Sequence, residues 1–256
     1  MKKRKTTLLS WYDIVNNYTT RHISIRKDTL IGISAIAKVI AEEMGQPPSA
    51  YKAGLWEHDF HRGLLWRRFY NSGLPLIRHA EYIAPSWSWA SNSASLMPTR
   101  RIYSDPRHDN TKYQLDAEIK EIIIDNENDN HFGIINKRHV KLSGPTLKIC
   151  RHKIPSIFWD CPEHPAQVSA KEFNPYSYSA VEHISEGTLI TNECKDYHPK
   201  VLLVSISNFP ENHKHALILQ GTGSLDVYQR VGCLDIYAPR GNFQHPDWTT
   251  REITII

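Results

Sequence analysis

The sequence predicts an α+β fold, with a helical N-terminal third packed on an antiparallel, β-rich remainder of sandwich- or barrel-like form. Three observations predict it. Up to Met44, apolar residues recur at intervals of three and four, the period of one helix face. After Asn92, short β-branched runs alternate with turn-forming clusters, the pattern of antiparallel strands. Between the two, Tyr51 to Asn92 holds four of the seven tryptophans, Trp56, Trp66, Trp87 and Trp89. Indoles carry large apolar area and an N–H that needs a partner when buried, so this block marks a packing centre. The expected layout is a helical region with the tryptophan block over 1–95 and a β-rich region over 96–256, joined as one continuous domain.

A chain of 256 residues, 40% hydrophobic and 23% charged, can bury a sizeable core in water. Its formal charge of +4 comes largely from the tip Met1-Lys2-Lys3-Arg4-Lys5, which leaves the body close to neutral. No apolar run of signal-peptide or membrane-spanning length follows, so a solvated tail and a cytoplasmic protein without membrane contact are expected. Cys150, Cys161, Cys194 and Cys233 form no C-x-x-C pair, and reduced thiols are expected. Arg100-Arg101 and Lys137-Arg138-His139 are short basic patches without interleaved aromatics, which argues against nucleic-acid binding.

In chain order, Leu8, Trp11, Tyr12, Val15 and Tyr18 line one face of a helix over Thr7–Tyr18. Asp28 stands at an N-cap position, and Leu30, Ile33, Ile36, Ala37, Ile40 and Met44 continue a second helix as its apolar face. Gly45 and Pro47-Pro48 end it. Ala53 to Phe69 reads as a further helical segment, and Ile83 to Trp89 as extended because Pro85 blocks a helix. Strands are expected over Leu115–Ile124, over Val140–Ile149 with an interruption at Gly144-Pro145, and over Val201–Ile206, Ala216–Leu219, Val227–Leu234 and Ile253–Ile256. Gln220 to Ser224 has the length and composition of a hairpin turn. Pro162 to Glu186 is a long irregular loop.

Glu57, His58, Asp59 and His61 form the densest ionisable cluster. Its spacing is not H-E-x-x-H and supplies no third ligand, so no metal or cofactor is expected. Asp59 and His61 beside apolar indoles are candidate acid/base groups, with Tyr82 as a third catalytic candidate. Trp56, Trp66, Trp87 and Trp89 would wall a ligand site, and Tyr176 and Tyr178, with Phe173 and His183, would close over it from the long loop. Ser86 and Ser88 alternate with Trp87 and Trp89, and in an extended strand the serines would face one way and the indoles the other. No G-x-S-x-G elbow accompanies them. Gly221-Thr222-Gly223 lacks the third glycine of a phosphate loop.

Tyr51-Lys52-Ala53-Gly54-Leu55-Trp56, Leu64-Leu65-Trp66 and Ala84-Pro85-Ser86-Trp87-Ser88-Trp89-Ala90-Ser91 occur in that order. Together with Trp11, Val15, Tyr18, Arg21 and Asp28-Thr29-Leu30, they resemble the closing part of the fungal heterokaryon-incompatibility (HET) domain family. The opening motifs of that family, a Y-x-A-L-S-Y-x-W-G-like strand and a W-I-D-x-x-C-I-N-Q-like segment, do not occur in this sequence. The resemblance implies a cell-death or non-self-recognition lineage in a filamentous fungus, without the half likened to TIR-type domains. It leads to the expectation of a module that acts by contact with a protein partner. The alternative is a cofactor-independent cyclase or isomerase acting on a small apolar organic substrate against the indoles.

Overall fold

Helix α1 runs over Lys2–Thr19, five residues beyond the expected start, because Lys and Arg are good helix formers and extend the basic tip. The structure, a computed structural model, describes residues 2–21, 23–68, 82–91, 96–97, 114–126, 130–133, 135–150, 184–185, 200–209, 213–237 and 248–256. Helix α2 follows over Thr29–Met44 and stops as expected at Gly45. Gly45 takes the left-handed φ of 62°, and its N–H and that of Gln46 bond back to Glu42 and Ala41, which satisfies the last carbonyls. Asp28 occupies the cap position but does not cap. It ends a short 3₁₀ turn at φ −86°, ψ 3°, outside the extended conformation a capping residue needs.

The expected helix over Ala53–Phe69 is replaced by a hairpin and a short helix. Strands β1, Tyr51–Lys52, and β2, Leu55–Trp56, pair antiparallel about a two-residue turn at Ala53 and Gly54. Both turn residues have positive φ, 49° and 92°, the signature of a tight hairpin turn and incompatible with a right-handed helix. A 3₁₀ turn at Glu57–Asp59 then leads into helix α3, Phe60–Gly63. Strands β3, Arg67–Arg68, and β4, Leu96–Met97, form a second small ladder. Ile83 to Trp89 is a chain of turns instead of a strand: Ser88 N–H bonds Pro85, and Ser91 N–H bonds Ser88. Alternation therefore fails, and Trp87, Ser88 and Trp89 are all buried.

The remaining strands are β5, Gln114–Leu115; β6, Glu118–Asn126; β7, Ile135–Cys150; β8, Ile184–Ser185; β9, Lys200–Phe209; β10, His213–Gly221; β11, Val227–Tyr237; and β12, Thr249–Ile255. They join in one sheet in the order β5-β9-β10-β11-β12-β7-β6, with β8 beside β11. Strand β10 pairs antiparallel with β9 and β11, and β9 pairs antiparallel with β5 and β7, whereas β11 pairs parallel with β12 and with β8. Because β7 also pairs with β9, strands β9, β10, β11, β12 and β7 close into a ring, the barrel option of the expected fold. Strand β7 is not interrupted at Gly144-Pro145. Its ladder with β9 begins at Thr146, so the missing amide of Pro145 falls outside it. Leu147, Leu203, Ala216, Ile218, Leu234 and Ile236 form the apolar core of this part. Successive residues 201–207, 214–219 and 230–236 are buried, so these strands are covered on both faces and read as near-continuous apolar runs.

The chain divides into two compact units, 1–108 with 121–140 and Ile256, and 109–120 with 141–255. The first holds the helices and the tryptophan block, the second the ring of strands. Cys233 is a buried free thiol, whereas Cys150, expected to be reduced, is disulfide-bonded. Oxidising compartments favour such a bond. No described helix is long and apolar enough to cross a membrane.

Candidate functional site

The carbonyl of Gly54, at the tip of the first hairpin, is the point on which the tryptophan block is assembled. It accepts the indole N–H of Trp89 at 2.9 Å and that of Trp11, from α1, at 3.3 Å. Next to it, the Ala53 carbonyl accepts the Ser88 hydroxyl at 2.6 Å. Trp66 donates to the Trp87 carbonyl at 2.9 Å. The rings then meet edge to face: Trp11 on Trp56 at 5.6 Å, Tyr51 on Trp56 at 5.3 Å, and Phe60 on Trp87 at 5.4 Å. Phe132 stacks on Tyr51 at 4.9 Å. Trp56, Trp66, Trp87 and Trp89, expected to wall a ligand site, are all buried.

Trp56 and Trp87 are fully buried without an acceptor for their N–H among the described residues. An unmade bond of this kind costs roughly 1–3 kcal/mol. Burying an indole removes on the order of 200 Å² from water, worth about 5 kcal/mol. Packing wins, and these two rings serve the core.

Asp59 has both oxygens engaged. The Tyr12 hydroxyl donates to Oδ2 at 2.6 Å, and Arg62 approaches Oδ1 at 3.9 Å. The carboxylate thereby ties α1 to α3, a structural role that does not need substrate. His61 is half-buried on α3. Tyr82 is 40% exposed, with the Arg138 guanidinium stacked 3.2 Å above its ring. Burial pushes its phenol up to about 12, against a smaller lowering by Arg138. A phenol so placed stays protonated at neutral pH. Because the folded value lies above the usual 10, the resulting stability is complete below pH 10 and is lost as pH rises through 12. Spectrophotometric titration of Tyr82→Phe should lack one late-ionising phenol present in the parent; an unchanged curve up to pH 12 would refute this placement. Tyr176 and Tyr178 lie outside the described residues.

Two features escaped sequence reasoning. In the second unit, the strand registers set Ser207, His215 and Asp235 side by side on β9, β10 and β11. His215 Nδ1–H donates to Asp235 at 2.5 Å, while the Ser207 hydroxyl is buried without a partner among the described residues. A carboxylate, imidazole and hydroxyl in that order suit acyl transfer. All three are closed to solvent, at 7%, 5% and 0% exposure, so they act here as a polar seam in the sheet. Asp116 makes a similar seam, accepting from Ser205 and from Lys214, each at 2.6 Å. Only the strand pairing reveals either set. Among the described residues no three His, Cys, Asp or Glu converge as a metal set.

The second feature is the outer face of α2. Leu30, Ile33, Ala37, Ile40 and Met44 pack inward, as expected. Ile36, expected with them, is 43% exposed, because at about 100° per residue it lies beyond their arc. Ile31 at 41% and Val39 at 56% stand open on the far side with Ala35 between them. The signal was present in TLIGISAIAKVIAEEM, which is apolar around most of its circumference.

No protein-family model matches the chain, and no curated protein or solved structure matches it either.

Proposed function

We propose that this chain is a HET-like module that acts by contact with a protein partner, in a cell-death or non-self-recognition lineage. The observation that carries this reading is the outer face of α2, where Ile31, Ala35 and Val39 form an apolar ridge in water on a helix whose other side is fully packed. Monomeric proteins place isolated apolar residues on the surface freely, but an aligned ridge is the form that helix-mediated contacts use. The alternative, a cyclase or isomerase holding a small apolar substrate, needs the indoles as a cavity wall. Trp56 and Trp87 are instead buried against Trp11, Tyr51 and Phe60, and the N–H groups of Trp66 and Trp89 are bonded to backbone carbonyls, which favours contact.

The reading is tested by placing a photo-crosslinking side chain at Ala35 and irradiating the protein in a native extract of filamentous-fungal cells. A discrete adduct is expected at Ala35, absent when the probe sits at exposed Thr222 and lost in Ile31→Lys/Val39→Lys. Equal labelling from both positions, or none from Ala35, would count against a contact function.

A further inference from the structure

We infer that the α2 ridge receives a basic amphipathic helix of the partner, an inference that rests on the contact reading above. With about 100° between successive residues, Ala35 defines the centre line of the exposed face. Ile31 and Val39 lie about 40° to either side, one turn before and one turn after it. The same geometry puts Glu42 within about 20° of that line at its C-terminal end, while Asp28, which ends the 3₁₀ turn before α2, stands exposed at the N-terminal end. Both carboxylate residues are exposed, and the Asp28 side chain caps no helix amide. Lys27 and Lys38 fall on one flank, away from the line. The ridge is therefore an apolar middle bracketed by two acids, and small Ala35 leaves a notch between its larger neighbours for one bulky side chain.

Charge decides among the occupants. A second copy docked antiparallel brings Asp28 against Glu42, and one docked parallel brings each acid near its own counterpart, so self-association sets like charges together either way. An anionic membrane surface meets the same opposition. A partner helix with apolar anchors at i and i+4, and Lys or Arg about two heptads apart, satisfies every position.

The probe is a 20-residue helical peptide with leucines on one face bracketed by two lysines fourteen residues apart, compared with the same peptide carrying glutamates there. Fluorescence anisotropy should show the lysine peptide binding on the order of tenfold more tightly, with the preference reversed in Asp28→Lys/Glu42→Lys and weakened by salt. These positions are exposed, and an unchanged thermal midpoint will show that the variants fold. Equal binding of the two peptides, or a preference that survives the charge reversal, overturns the inference. Light scattering that shows a dimer dispersed by Val39→Lys does so too, in favour of a second copy. If Ala35 crosslinks persist while the peptides show no charge preference, the contact reading stands and this inference falls.

Discussion

Replacing Gly54 with alanine is expected to destabilise the first unit by on the order of 4 kcal/mol or more. Two effects combine. Gly54 has φ +92°, a conformation that a β-carbon penalises by roughly 1–2 kcal/mol. The added carbon would also sit 2.4 Å from Trp89 Nε1 and 2.7 Å from Cε2, so the indole must move and release the bond that helps order the block. Overpacking of this kind costs about 1–3 kcal/mol, and each lost hydrogen bond about 1 kcal/mol. Gly223→Ala separates the two causes. Gly223 has nearly the same φ, +95°, but nothing within 4 Å of its would-be β-carbon, so only the conformational part applies. Urea denaturation of both variants checks the argument, and equal losses at the two sites would show that the Gly54–Trp89 approach is not tight.

Trp87→Ala comes next, with an expected loss of about 3–5 kcal/mol from the cavity and the lost transfer energy. Trp87 is fully buried, meets Phe60 edge to face, and its carbonyl receives the Trp66 indole. Against a typical stability of about 5–15 kcal/mol, this should lower the thermal midpoint by on the order of 10 °C. Trp87→Phe, which keeps a ring, should lose clearly less. A midpoint unchanged in Trp87→Ala would sink the reading of the block as a packing centre. The result also bears on function, since a ring that holds the core in place is not available to line a ligand cavity.

The sequence by itself determined the two helices, the burial of the indoles and the positions of the main strands. These features depend on local periodicity and on how much apolar area a short segment carries, and both can be counted in a window of residues. The tertiary structure decided the rest. Ala53 to Trp56 has residues that a helix would accept, yet it turns back because Trp11 and Trp89, 43 and 35 residues away, both bond the Gly54 carbonyl. Ile36 lies just beyond the apolar arc and faces water, because how wide an arc of α2 is covered depends on what packs against it. Asp59, a candidate acid/base group in the sequence, is bonded by the Tyr12 hydroxyl from 47 residues away and approached by Arg62, a setting that only the tertiary structure reveals. The closure of the strands into a ring, and the Ser207–His215–Asp235 seam it carries, depend on which strand pairs with which and in what register. Such pairings join residues far apart in the chain, and their free energy belongs to the pair, so neither segment read alone contains it.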